Sequence, residues 1–322
     1  MRGFPKLLII PAAVALILTL FAWPQARLEP RDVPIGVVGG EQEASGLEDQ
    51  LAVEGDFDVQ AYADEESARE AIEDRDIYGA FVPSPDGLTV LTASAGSPLI
   101  AQALTQVAQA SSEAAAPAEA APAAEVVDVV PADPDDPRGS AFNSSVLPLL
   151  IGGLLTGVLV AETITPPGLR QIGALIFASA LAGLAAVLIA QAWLGILEGG
   201  WLANAAVLSL MVLAIASVVA GLMALTGPIG IGVAALLMVL LGNPWSGLGT
   251  APELLPRPVG DIGQLLPPAA GGQALRDTAF FDGAALTGHL AVLLVWIAIG
   301  FALISVGTLR GGGAGTAPLA TG

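Results

Sequence analysis

The 322-residue chain contains no cysteine and a single histidine, His289. The first absence excludes a disulfide framework, a thiolate nucleophile and any Cys-ligated metal. The second excludes a metal site built from several imidazoles and leaves one imidazole at most for a Ser-His-Asp arrangement. Basic residues are scarce as well, with Lys plus Arg at 11 against 30 Asp plus Glu, so no basic patch exists to meet phosphate groups and no nucleic-acid partner is expected. No Gly-x-x-x-x-Gly-Lys-Ser/Thr loop is present, and any ATP hydrolysis has to come from another chain. With nucleophile, base and metal constellations all lacking, the sequence predicts neither an enzyme nor a cofactor.

What the chain has in quantity is apolar residues. They make up 54% of it, against 13% charged, and they come in long blocks, which is the composition of a membrane protein. The acidity is local. Residues 24–144 hold 24 acidic residues and 5 arginines, whereas the rest holds 6 acidic and 6 basic residues and balances. The first apolar run, LLIIPAAVALILTLFAW at 7–23, follows Arg2 and Lys6. It is longer than a signal-peptide core, and Pro24-Gln25-Ala26 puts proline where cleavage wants a small residue; residues 1–26 therefore read as a transmembrane anchor.

A helix needs about 20 residues to cross a hydrocarbon core of about 30 Å. Further spans are predicted near 146–164, 172–192, 202–225, 228–242 and 288–307. The 228–242 segment is short and starts at Gly227-Pro228, which suits either a barely tilted span or a re-entrant one. The expected fold class is an α-helical polytopic membrane protein of about six transmembrane helices, with an extracytoplasmic α/β domain inserted after the first. Arg2, Lys6, Arg170 and Arg310 in short flanks place both termini in the cytoplasm of a plasma-membrane protein and residues 24–144 outside.

Within residues 27–110, strands are predicted at 33–38, 57–62, 77–82 and 88–93, the last two separated by Pro83-Ser84-Pro85-Asp86-Gly87. Helices fit at 65–74 and at 98–110, the latter capped by Ser97 with Pro98 at its first position. Residues 111–144 form a Pro/Ala/Asp-rich linker in which VVDVV (126–130) fits a last strand, and the Asp128, Asp133, Asp135, Asp136 group reads as a solvated, stiff stalk. A five-helix membrane domain occupies 145–310, and 311–322 is glycine-rich and expected to be disordered.

Polar residues at or near membrane depth are Glu162, Gln191 and Asn204, each within about a turn of a span end, where interfacial solvation accounts for them. His289, at the outer end of the last span, reads as a polar tip at the interface. Gly152-Gly153 with Gly157 gives a small-xxx-small spacing. The segment 243–287 combines Pro and Gly with Trp245, Phe280 and Phe281. It is expected to lie on or dip into the outer membrane surface, with 273–281 a short interfacial helix turning Arg276 and Asp277 toward water. The alternative for this segment is an ordered cap over the bundle.

The pieces DIYGAFVPSPDGLTVLTASAG (76–96), VVDVVPADPDDPRG (126–139), LGNPWSG (241–247) and LLPPAAGGQALRDTAFFDG (265–283) carry a resemblance. With the arrangement of spans, the chain resembles the ABC type 2 permease-like superfamily, in particular the branch of phage infection (YhgE/Pip) proteins and related actinobacterial membrane proteins. The resemblance implies a permease half that forms a homodimer in the lipid bilayer and works with a separate ABC ATPase for outward transport. The ATPase-coupling loop would be Pro166, Pro167, Gly168, Leu169 and Arg170. The sparse cytoplasmic surface supports a second reading: a cell-envelope anchor or receptor whose external domain binds a partner, a polymer or a phage component.

Overall fold

The computed structural model describes residues 9–51, 55–84, 87–115 and 124–313. Arg2 and Lys6, residues 116–123 of the linker and residues 314–322 of the tail lie outside them. Gly311, Gly312 and Gly313, assigned by sequence to the tail, still belong to the last helix.

Helix α1 (Ile9–Gln25) leads into an α/β domain. Its elements are β1 (Val33–Val38), α2 (Glu41–Leu51), β2 (Phe57–Tyr62), α3 (Glu65–Glu73), β3 (Gly79–Ser84), β4 (Gly87–Thr92), α4 (Pro98–Ala115) and β5 (Glu125–Asp128). The sheet order is β2-β1-β3-β4-β5. β1 pairs in parallel with β2 and β3, β4 runs antiparallel to β3, and β5 is parallel to β4. Alternation along the strands sorts the side chains onto two faces. Val33, Ile35, Val37, Phe81 and Val90 pack under α2 and α4, while Ala80, Val82 and Leu91 pack under Ala68 and Ile72 of α3.

Three local expectations change. β3 runs through Pro83 and Ser84, expected in the turn, because the hairpin pairing with β4 continues to Ser84–Gly87. Helix α2 was not foreseen, since EQEASGLEDQL turns little more than Ala44, Leu47 and Leu51 to the core. The strand expected in VVDVV joins the sheet as β5, but the Asp group is not a fully solvated stalk, for Asp133 and Asp136 are buried while Asp128 and Asp135 stay exposed. The Asp136 carboxylate accepts from the Phe142 N–H at 2.8 Å, satisfying a donor that the first turn of the next helix leaves open.

That helix is α5 (Ser140–Thr163), followed by α6 (Leu169–Trp193), α7 (Trp201–Thr226), the short α8 (Ile229–Gly242) and, after the segment that caps them, α11 (Leu286–Gly313). Four of these, α5, α6, α7 and α11, are long and apolar enough to cross a membrane. α8 spans about 21 Å at 1.5 Å per residue, less than a hydrocarbon core. Its last seven residues, Leu236–Gly242, are π-helical. α7 is the centre of the bundle, with 72% of its most apolar window buried against 22–28% for α5, α6 and α11. Small residues let its neighbours approach. Gly153 and Gly157 of α5 face Ile215 and Val219 of α7, Gly183 of α6 faces Ser209, and Gly300 of α11 faces Ser217.

Between α8 and α11 the chain makes a 3-10 turn (Pro252–Leu254), α9 (Val259–Gln264) and α10 (Pro267–Phe280). Every residue of α10 through Ala279 is buried. Leu254 enters the core on the α2/α4 side of the sheet and Phe281 enters the core on the α3 side. The segment is therefore a wedge between the α/β domain and the bundle. The expectation that Arg276 and Asp277 turn to water does not hold, for they are 4% and 0% exposed.

A Cβ at Gly157 would lie 2.6 Å from the Ala216 carbonyl oxygen, whereas one at Gly152 meets nothing within 4 Å. Gly157→Leu is expected to lower stability by about 1–3 kcal/mol or more through overpacking, while Gly152→Leu stays within about 0.5 kcal/mol. Thermal unfolding in detergent micelles distinguishes the two.

Candidate functional site between the α/β domain and the membrane block

A buried polar cluster joins the two halves of the molecule. Arg75 follows the end of α3 with a positive φ of 66°, and this left-handed turn aims its side chain at α10. Its guanidinium pairs with Asp277 and donates to Gln273 Oε1 at 3.0 Å. Gln273 and Asp277 are four residues apart and share one face of the helix. The other oxygen of Asp277 lies 2.7 Å from His289 Nδ1 in the first turn of α11, a bond the imidazole makes by donating from Nδ1 to the carboxylate. One carboxylate with no exposed surface thus holds three elements.

Arg276 points the other way. It donates to Gln273 Oε1 at 3.0 Å and to the Leu248 carbonyl at 2.9 Å, and its guanidinium lies 5.1 Å from the Phe142 ring centroid. Burial, reinforced by the nearby Arg75 charge, pushes its pKa down to about 10, still well above neutrality. The Arg75 guanidinium stacks on Phe281 at 5.0 Å. Tyr78 donates to Glu253 Oε2 at 2.8 Å. Burial, and then the Glu253 charge, raise the Tyr78 phenol above its ordinary range, so it remains a donor. Arg75 and Arg276 balance Asp277 and Glu253, which is the condition for keeping charges in a low-dielectric place.

A cavity of about 390 Å³ opens beside this cluster, walled by Arg75, Tyr78, Glu253, Gln264, Gln273 and His289. The exposed ion pair Arg257–Asp32 and the exposed Asp261 mark its mouth. Among the described residues no group of three or more His, Asp or Glu side chains is placed to hold a metal.

Residues 7–165 match the family described as ABC-2 family transporter protein. The match takes in α1, the whole α/β domain and α5, a little under half of the chain. No curated protein and no solved structure matches. The similarity of residues 7–165 to that family and the four long apolar helices support a multi-pass membrane protein.

The residues singled out from sequence fall into four places. Arg276, Asp277, Phe280 and Phe281 converge on the cluster, and Phe280 makes an edge contact with Phe142 at 6.2 Å. Trp245 is half-buried under α9, away from the cavity wall. Gln191 and Asn204 meet in a second network: Asn204 Nδ2 donates to Gln191 Oε1 at 3.2 Å and to the Glu198 carbonyl at 2.7 Å. Asn204 Oδ1 accepts from Thr278 at 2.7 Å, so this network fastens the α6–α7 loop to α10. Glu162 and the loop Pro166–Arg170 lie at the opposite end of the bundle, with Glu162 exposed and Leu169 at 86% exposure. Arg75, Tyr78, Glu253, Gln264 and Gln273 were not foreseen, and His289 is a partner of Asp277 rather than a free polar tip. The one local signal was a glutamine and an aspartate at helical spacing in an apolar stretch.

Asp277→Ala leaves Arg75 and His289 without their carboxylate and is expected to destabilise the protein by about 3–5 kcal/mol. The double variant Arg75→Met/Asp277→Leu, which removes the pair together, should recover part of that loss. Unfolding of both variants in micelles measures the difference.

Proposed function

We propose that the chain is the membrane subunit of an ABC-2-type exporter that dimerises and is driven by a separate ATPase. In this reading it belongs to the branch related to the phage infection proteins. The α/β domain lies outside the plasma membrane and both termini lie inside. The match of residues 7–165 to the ABC-2 transporter family carries this reading. Three further facts support it. The sequence has no phosphate-binding loop of its own. The loop 166–170 and the end of α11 lie at the end of the bundle away from the α/β domain, joined by a Thr308 hydroxyl that donates to the Pro167 carbonyl at 3.0 Å. Arg170 and Arg310 then fall on one side, as the positive-inside rule requires.

The exposed Leu169 and Arg170 are the surface an ATPase would grip. Movement there passes along α5 and α6 to α7, which contacts both, and from Asn204 through Thr278 to α10. α10 holds the α/β domain, so a push at the cytoplasmic loop reaches the outside through packed helices.

The alternative, an envelope anchor or receptor, draws on the small cytoplasmic surface: the α5–α6 connection is five residues, Ile164–Gly168, between Thr163 and Leu169. Replacing Pro166–Arg170 by a Gly/Ser sequence of equal length separates the readings. For a transporter subunit, recovery of the co-purifying ATPase should fall at least about tenfold, equivalent to about 1.4 kcal/mol, while the folded protein stays in the membrane. Undiminished recovery, or the absence of any ATPase from cross-linked native membranes, would favour the anchor.

A further inference from the structure

We infer that the cavity between the α/β domain and α10 is a binding site for a small zwitterion, a molecule with a carboxylate or other oxyanion at one end and an ammonium at the other. The inference does not depend on whether the chain transports. It starts from Gln273, which is 3% exposed and lines the cavity. Its Oε1 is fixed by two guanidinium donors, Arg75 and Arg276, each at 3.0 Å. The amide NH2 must therefore point the other way, where no described residue accepts from it. A donor so deeply buried without a partner is costly unless water or a ligand meets it. It is not sealed off, because among the described residues the enclosed orphan atoms are others, Asn143 Oδ1, Gln171 Oε1, Ser179 Oγ and Trp245 Nε1.

Around the same space the uncommitted atoms divide by sign. Gln273 Nε2 and the remaining N–H groups of Arg75 are donors, suited to an oxyanion. Glu253 Oε1 is an acceptor, since Tyr78 occupies only Oε2. Gln264 has its Nε2 on the Ser246 carbonyl at 2.8 Å and so leaves Oε1 free. His289, its Nδ1–H given to Asp277, borders the same space. The fixed charges of the cluster cancel, so a ligand with net charge would upset a balanced low-dielectric site, whereas one with both charges answers both sets of groups. About 390 Å³ is near the lower end of ligand cavities, the scale of a dipeptide or a lipid headgroup.

The test uses the full chain in phosphatidylglycerol nanodiscs and isothermal titration with L-alanyl-L-alanine, its N-acetyl form and its C-terminal amide. The dipeptide is expected to bind saturably and each blocked form at least about tenfold more weakly. Glu253→Gln should cost the dipeptide about 10- to 100-fold. Gln273→Glu keeps the oxygen that both arginines use and replaces the free donor by an acceptor, so it should turn preference toward the amide. Asp49→Asn on α2 is the control and should change nothing. In discs that also contain phosphatidylethanolamine, lost dipeptide binding identifies a lipid headgroup as the resident zwitterion, and retained binding identifies a soluble one; both support the site. No saturable heat from the dipeptide in phosphatidylglycerol discs, or equal affinity for a blocked form, overturns the inference.

Discussion

A carboxylate taken fully out of water has to be answered from its surroundings, and Asp277 is answered from two directions. Arg75 comes from the α/β domain and His289 from the last helix. If either is drawn away, the remaining groups are left as a buried charge in poor company, a state several kcal/mol uphill. The two halves of the molecule are thereby held at one separation and one angle. The wedge 243–287, the cavity beside it and the line of contact from bundle to sheet all follow from that requirement.

The bundle beneath is organised on a different principle. In a membrane, apolar helices gain little by leaving lipid for one another, so close backbone approach and internal hydrogen bonds decide which faces meet. Here α7 takes the centre because its neighbours present Gly153, Gly157, Gly183 and Gly300 to it. The wider apolar faces of α5, α6 and α11 remain exposed. α10 follows the same logic: Gly271 and Gly272 lie where added Cβ atoms would reach to 2.4 Å from Met211 Cγ and 2.3 Å from Leu248 Cδ1. Only side-chain-free positions let a helix carrying Gln, Arg and Asp sink so far that those groups find partners.

Much of the architecture was legible in the sequence for simple reasons. Long apolar runs announced the helices, a short apolar run ending in Gly39-Gly40 announced β1, and alternation announced β2. α2 escaped notice because three core-facing residues among charges do not make a stripe. The site was legible only in part. Arg276, Asp277, Phe280 and Phe281 stood out as large or charged residues in a Pro/Gly stretch, yet their direction was misjudged. Charged groups belong in water unless partners are supplied, and the partners, Arg75, Phe142 and the Leu248 carbonyl, come from positions up to about 200 residues away that no local pattern connects. Whether a lone histidine is a solvated tip or the second hand on a buried carboxylate is likewise decided by contacts that only the fold creates.

The sheet is completed on one face by Leu254 and on the other by Phe281. These residues are made long after the strands they cover. At about 5–20 residues per second, the roughly 150 residues between β5 and Phe281 take about 8–30 s to synthesise. Throughout that interval Ile72, Val82 and Leu91 have an open side, and Arg75 has no carboxylate to meet. The α/β domain is consequently finished last although it is made first. A membrane insertion machinery that delivers the final loop late leaves a half-covered sheet exposed to chaperones and proteases, so the timing of biogenesis is itself a determinant of how much of this protein survives.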